Sequence, residues 1–419
     1  MTMNANPVRG TRDFLPNEMR VRDAMQSIIL KTYLESGFSK IHTPIMEDLE
    51  RLDKSDGGEN LNLIFKILKR GQKLDLTKAE LTENDLADSG LRFDLTLPLS
   101  RYFANNRNEL RLPFKVIQIG EVFRAERPQK GRLREFYQCD IDIIGDETPQ
   151  AEIELIHTTA KALLALGFKD FTVRINDRRI LSAVIEKAGF AASDIPSVCI
   201  TFDKLDKVGL EGVEKELKEK EFPAEAIARF MDILSKEDFS TIAQAVEYGA
   251  DPEVADRLAK IMELCKELAG GQYNVEYDKS LVRGMGYYTG TIFEIVSPDF
   301  SGSIAGGGRY DKMVGRFLGE DVPAVGFSIG FERISEILLG KGAEFASGAM
   351  RIALLYGAED SFGEVIRRAE ELRKEGYSVS TVLKAKKVGK QLGALERDGF
   401  KGAAFFGEEG VKIFGENNN

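Results

Sequence analysis

The chain of 419 residues has no tryptophan, only two histidines and only three cysteines. Cys139, Cys199 and Cys265 are odd in number and far apart, which fits buried thiols in a reducing compartment and argues against a disulfide framework. His42 and His157 lie far from them and are too few for a histidine-based zinc site. Both read as packing or surface residues. No apolar run reaches the roughly 18 residues that suggest a membrane span. The opening MTMNANPVRGTRDF lacks the apolar core of a secretory signal, so a cytoplasmic location away from membranes is expected. No internal repeat appears, and no Cys–His or Ser–His pattern offers a protein nucleophile.

What is present is ordinary in bulk: 43% hydrophobic and 30% charged residues. That balance excludes a disordered chain, a collagen-like chain and a coiled coil. The net charge of −10 gives no global attraction to nucleic acid, though it permits a local basic surface. At roughly 150 residues per domain, two or three domains are expected.

Composition shifts mark their borders. Helical and strand patterns mix up to about residue 174, with dense Arg and Pro punctuation. Residues of about 175–270 turn helical and Lys/Glu-rich, as in VEKELKEKEFPAEAIARFMDIL, after which strand patterns and glycines return. A small, polar stretch at 341–349 reads as a linker. From Arg351 the pattern runs strand, helix, strand, helix, strand (RIALLYG, SFGEVIRRAEELRKEG, YSVSTVL, KGAAFFG). The expected partition is therefore 1–340 as an α+β domain with a helical insertion at about 175–270, and 350–419 as a small α/β domain.

Chemistry concentrates in three stretches. In GEVFRAERPQKGRLREFYQCDIDIIG, two strands flank a hairpin loop. Period-2 alternation puts Phe136, Gln138, Asp140 and Asp142 on one face, and Tyr137, Cys139, Ile141 and Ile143 on the other. Arg124, Arg127, Arg132 and Arg134 fall within eleven residues of that hairpin, offering planar donor forks suited to phosphate. In LVRGMGYYTG, Arg283 sits at a turn before a strand; in SIAGGGRYD, three glycines read as a turn before Arg309 and Tyr310. In VPAVGFSIGFERISEILL, a strand and a glycine-rich turn lead to a helix with Arg333 in its first turn, where anions are already favoured.

Taken in order, these stretches resemble the class II aminoacyl-tRNA synthetases, and within them the histidyl-tRNA synthetase family. PVRGTRDFLP is similar to its N-terminal signature. FSKIHTPIMED, with Pro44, is similar to motif 1, and LRFDLTLPLSRY to the substrate segment in its Asp-containing form. FRAERPQKGRLREFYQ is similar to motif 2, LVRGMGYYTG and IAGGGRYD to the two histidine motifs, and GFSIGFERI to motif 3. The resemblance implies a catalytic domain built on an antiparallel sheet, a helical insertion, and a shortened anticodon-binding-like domain at 350–419. It implies activation of L-histidine with ATP and Mg2+, release of pyrophosphate, and transfer of histidine to the 3′ end of tRNA(His) by a homodimer.

It also implies site roles. Arg124 and Arg283 would hold the α-phosphate, and the same Arg283 would border the histidine. Glu126 and Phe136 would hold the adenine, and Arg132 and Arg333 the γ-phosphate. Asp94, Thr96, Gln138, Asp142, Tyr287, Tyr288 and Tyr310 would surround histidine. Arg127 and Gln129 would meet the acceptor stem. Lys384 and Lys387, within a basic patch that includes Lys386 and Lys390, would meet tRNA phosphates. Two departures stand out: Gly286 occupies a position where the family usually has Asp, and residues 66–90 look longer, as a charged surface loop would make them. The competing implication is the family's non-catalytic paralogue, a histidine-sensing regulatory subunit of ATP phosphoribosyltransferase. Retention of the phosphate-facing arginines and of the C-terminal domain speaks against it.

Overall fold

The structure, a computed structural model, describes residues 3–53, 62–78, 80–128, 132–235, 241–282, 286–343, 345 and 349–415. The chain divides into two compact units, one of Met1–Asp13 with Met25–Lys341, the other of Phe14–Ala24 with Gly342–Asn419. Helix α1 spans Pro16–Glu35.

The first unit is organised by an eight-stranded sheet. Its strands are β1 (Ser39–Lys40), β2 (Phe114–Phe123), β3 (Glu135–Ile144), β4 (Thr172–Asp177), β5 (Asn274–Tyr277), β6 (Thr291–Val296), β7 (Ser303–Arg309) and β8 (Ala324–Gly330). They lie in the order β1-β2-β3-β8-β7-β6-β4-β5. The six central strands pair antiparallel, with a parallel strand added at each edge. This is the antiparallel-based α+β architecture expected from the sequence. Strands β2 and β3 form the long hairpin, in register from Phe114–Ile144 to Phe123–Glu135. Helix α2 (Thr96–Asn106) carries the substrate segment.

Helix α3 (Pro149–Ala165) packs on β3 and β8. Proline at its start suits the first turn, where its missing N–H is not needed. Its Glu152 is fully buried and receives the guanidinium fork of Arg309, at 2.8 Å from Nε and 2.7 Å from a terminal nitrogen. Arg257 adds a third donor at 3.3 Å.

The stretch Gly306–Gly308 is no turn; it lies within β7. A Cβ on Gly307 would run into the backbone carbonyl of Gly326 across the ladder, and one on Gly326 would run into the Asp142 carboxylate. The glycines serve close approach between strands rather than a bend. Residues 66–90 likewise hold more than a surface loop. Lys66–Leu68 and Ala87–Leu91 pair in a three-stranded antiparallel sheet with Met46–Asp48.

Between β4 and β5 the described residues form six helices: α4 (Arg178–Ala188), α5 (Ile195–Phe202), α6 (Leu205–Glu219), α7 (Ala224–Ser235), α8 (Ile242–Glu247) and α9 (Pro252–Ala269). Asp177 caps α4 through the Arg179 N–H at 2.9 Å. Edge-to-face contacts join Phe190, Phe202, Phe222 and Phe230 in the core of this segment. After β7 come α10 (Asp311–Leu318), which packs on α2, and α11 (Phe331–Gly340), which follows β8 directly.

The second unit contains β9 (Arg351–Tyr356), α12 (Phe362–Lys374), β10 (Ser378–Leu383), α13 (Val388–Arg397), β11 (Gly402–Phe405) and β12 (Lys412–Ile413). The order is β10-β9-β11-β12, parallel except for the last pair. Ile352 and Leu354 join one apolar cluster with Val365 and Leu372; Ala353 and Leu355 join another with Leu395 and Phe400. Covering both faces is what the continuous apolar run of β9 requires. Among the described residues no helix is long and apolar enough to cross a membrane.

Truncating Glu152 to Ala leaves the buried Arg309 charge without its main partner and should cost about 3 kcal/mol. Urea unfolding checks it; a loss under about 1 kcal/mol would contradict the weight given to this pair.

Candidate active site

A cleft of about 980 Å3 lies within the first unit and draws on many elements. Strand β3 supplies Phe136, Gln138, Asp140 and Asp142, the face that period 2 predicts, and also Tyr137 from the other face. Neighbouring β8 supplies Gly326 and Ser328, and β7 supplies Gly306 and Gly307. Asp94 and Thr96 come from the start of α2, Arg124 and Glu126 from the end of the β2 side of the hairpin, and Arg333 from the first turn of α11.

One part of the cleft is acidic and buried. Asp94, Asp140 and Asp142 are each at most 5% exposed. Burial pushes the Asp94 carboxyl up to about 6, against its hydrogen bond from the Leu97 N–H. Burial also pushes Asp140 up to about 7, and the neighbouring Asp94 charge adds to the shift. Asp142 is raised well above the usual carboxylate range, by burial and then by Asp140. Its Oδ1 accepts a hydrogen bond from the Tyr310 hydroxyl at 2.6 Å. Tyr310 and Tyr288 flank Tyr287, with ring centroids 6.1 Å and 4.9 Å away.

Two acceptors here have no partner among the described residues: Asp94 Oδ2 and Gln138 Oε1. Gln138 is oriented by its amide nitrogen, which donates to Ser328 Oγ at 3.1 Å. Buried acceptors normally find donors. Orphaned oxygens beside three carboxylates therefore call for a ligand rich in N–H groups and positive charge.

The remaining wall is basic and aromatic. Arg124 donates from Nε to the Phe93 carbonyl at 3.0 Å, and its guanidinium lies 5.2 Å from the Phe136 ring centre. Arg132 pairs with Glu126 at 3.2 Å. Arg333 bonds to the Ser303 carbonyl and lies 5.7 Å from the Phe300 ring centre. The cleft thus combines sites for a small cation with sites for phosphate and a flat ring.

The family model described as Histidyl-tRNA synthetase matches residues 10–334. A histidine–tRNA ligase of Leifsonia xyli subsp. xyli is 43% identical over 417 residues, covering 97% of this chain and 96% of its own. The chain belongs to the histidyl-tRNA synthetase family. A probable histidine–tRNA ligase of Tropheryma whipplei is 41% identical over 420 residues, covering 95% of each chain. The crystal structure of histidyl-tRNA synthetase from Nostoc sp. PCC 7120 superposes with a TM-score of 0.75 at 26% identity, over 96% of this chain and 91% of that one. An ATP phosphoribosyltransferase regulatory subunit/histidyl-tRNA synthetase from Bacillus halodurans has a TM-score of 0.76 at 22% identity, over 97% and 99% of the two chains, and shares the fold.

Of the residues singled out in the sequence, Asp94, Thr96, Arg124, Glu126, Arg132, Phe136, Gln138, Asp142, Tyr287, Tyr288, Tyr310 and Arg333 all line this one cleft of the synthetase-family chain. Arg127 is exposed beside the hairpin loop and does not line it. Arg283 and Gln129 lie outside the described residues. Lys384 and Lys387 are exposed in the second unit, and Gly286 borders a separate hollow of about 260 Å3. Asp140, Ser328 and Glu294 line the cleft without having been assigned a role. Asp140 was legible as part of the polar face of β3. Phe202, Asp203 and Lys204 also reach the cleft from the helical segment, and nothing in their local pattern signals it.

The raised Asp94 has a stability consequence. Its carboxyl keeps a proton in the folded chain up to about pH 6, whereas an unfolded chain releases it near about pH 4. The contribution of Asp94 to stability therefore falls as pH rises from about 4 to 6 and is constant above that. Asp94→Asn should raise the melting temperature by about 2 °C or more at pH 8, with the difference vanishing towards pH 4. A variant that melts lower than wild type at pH 8 would contradict this.

Proposed function

We propose that this chain is a histidine–tRNA ligase that joins L-histidine to ATP as histidyl-adenylate, releases pyrophosphate, and passes histidine to the 3′ end of tRNA(His). The observation that carries the reading is the division of one cleft. Buried carboxylates and orphaned acceptors suit the ammonium and imidazole N–H groups of histidine. Arginines around Phe136 suit a nucleoside triphosphate.

In this reading Asp94, Thr96 and Gln138 meet the α-ammonium side of the amino acid, and Asp142, Tyr287, Tyr288 and Tyr310 its imidazole. A ring with two nitrogens is selected by fixed donors and acceptors, because a rival lacking them leaves buried groups unpaired. Phe136 stacks the adenine beside Glu126. Arg124 and Arg283 hold the α-phosphate, and Arg132 and Arg333 the γ-phosphate.

A histidine carboxylate oxygen attacks the α-phosphorus in line, the P–O bond to the β-phosphate breaks, and pyrophosphate leaves. Charge grows on the α-phosphate oxygens, where fixed guanidinium groups lower the barrier by positioning and electrostatics. The terminal ribose hydroxyl of the tRNA then attacks the adenylate carbonyl, and AMP leaves. No protein nucleophile is needed for either step. Mg2+ bound with ATP would neutralise phosphate charge, and Glu294 in the cleft offers a carboxylate of the kind that would hold it.

Residues 1–340 form the catalytic domain in this proposal, with the helical insertion at about 175–270 and a linker at 341–349. Residues 350–419 form a shortened anticodon-binding domain whose Lys384 and Lys387 meet tRNA phosphates. Arg127 and Gln129 meet the acceptor stem. The protein works in the cytoplasm as a homodimer built on the element around Pro44.

ATP–pyrophosphate exchange without tRNA, run across all twenty amino acids, should proceed with histidine alone. Histidine binding in a calorimeter without exchange would overturn the reading and favour a histidine-sensing regulatory subunit. Tyr310→Phe leaves the buried Asp142 without its hydroxyl donor. The histidine KM should rise about tenfold or more, with the ATP KM within about twofold. An equal change in both would contradict the assigned place of Tyr310.

A further inference from the structure

Two features of the sequence remain without a role in this mechanism: the N-terminal GTRD stretch and Arg134, the last of the four hairpin arginines. The structure brings them together. The Arg134 backbone N–H donates to the Gly10 carbonyl at 2.8 Å, and its own carbonyl accepts from the Arg124 N–H at 2.8 Å. Its side chain donates from Nε to the Glu126 carbonyl at 3.1 Å and from a terminal nitrogen to the Arg9 carbonyl at 3.1 Å. One residue thus ties three strands of chain: the outgoing arm at 124–126, the returning arm at 134, and the N-terminal segment at 9–10.

Gly10 is required for this arrangement. Its φ is +93°, in the left-handed region, and a Cβ there would stand 2.7–2.8 Å from Arg134 Cδ and Cγ and 2.8 Å from Pro128 Cγ. The stem of Arg134 and the ring of Pro128 lie on that bare backbone. Both side-chain bonds end on main-chain carbonyls, and the planar fork sets their mutual angle in a way a single ammonium cannot.

We propose that Arg134, seated on Gly10, is a positioning residue that holds the two arms of the hairpin loop so that Glu126 and Arg132 face the nucleotide. It rests on the reading of the cleft as an ATP site. Glu126 and Arg132 pair with each other at 3.2 Å and stand on opposite arms, so a change of arm spacing moves both ATP contacts at once. The Asp94 and Tyr310 parts of the cleft belong to other elements and are left in place.

The test compares wild type with Arg134→Met, Arg134→Lys, Gly10→Ala and the Arg134→Met/Gly10→Ala double variant. ATP KM comes from histidine-dependent pyrophosphate exchange, histidine affinity from calorimetry and stability from thermal melts. The expected result is an ATP KM raised about tenfold by Arg134→Met and by Gly10→Ala, with histidine affinity within about twofold. Arg134→Lys should fall between, and the double variant should be no worse than about the larger single effect, because both break one contact. An ATP KM unchanged in Arg134→Met overturns the proposal. So does a parallel loss of ATP use, histidine affinity and melting temperature, which marks a purely structural role. If wild type gives no exchange at all, the functional reading fails; wild-type exchange with an unaltered Arg134→Met sinks the positioning role alone.

Discussion

Three carboxylates buried side by side, whose desolvation outweighs the nearby Arg92 and Arg124 charges, set the terms for the rest of the first unit. Asp94, Asp140 and Asp142 pay for their removal from water by holding protons that exposed carboxylates would release. Such a cluster survives only where the surrounding fold is rigid enough to impose it. Here the imposition comes from the antiparallel sheet. Asp140 and Asp142 stand on β3 between the paired strands β2 and β8, so neither can turn away to solvent. Gly326 provides the bare backbone against which the Asp142 carboxylate lies, and Tyr310 gives it one neutral donor. In the proposed function a cationic amino acid bound there would remove the conflict, gaining binding energy where the empty protein is least comfortable.

The arginine-lined half of the cleft, proposed to take the nucleotide, obeys a different constraint. Guanidinium groups there are held by main-chain carbonyls as well as by side-chain partners, Arg124 by Phe93 and Arg333 by Ser303; Arg134, outside the cleft lining, is held in the same way by Glu126 and Arg9. Backbone acceptors fix direction without neutralising charge, so the arginines keep their attraction for phosphate. Positioning by carbonyls on one side and catalysis by charge on the other are compatible because the donors of the fork are several.

Much of this was legible in the chain itself. The alternation of EFYQCDIDII told that Phe136, Gln138, Asp140 and Asp142 share the cleft, though Tyr137 lines it as well, and the strand–helix junction at GFSIGFERI placed Arg333 in a first turn. Both are local patterns, set by period 2 or by a helix start. The glycines of SIAGGGRYD misled because a run of three is compatible with a turn or with a strand that must be approached closely; only the neighbour across the ladder decides. The walls contributed by Phe202 and Asp203, and the seat of Arg134 on Gly10, join residues far apart in sequence. No local pattern carries them. Asp140 could be seen on the polar face, but its burial, and therefore its raised pKa, depends on strands that arrive later in the chain.

The most direct test of the account is a pH titration of the protein labelled with 13C in its aspartate carboxyls, followed by NMR with and without saturating histidine. In the ligand-free protein, resonances assigned through Asp94→Asn and Asp140→Asn should titrate near pH 6 and 7. With histidine bound, the same carboxyls should remain ionised to below about pH 5, because a nearby cation favours their charged form. Carboxyls that titrate near about pH 4 in both states, with no response to histidine, would contradict the claim that the site stores an electrostatic cost which its substrate relieves.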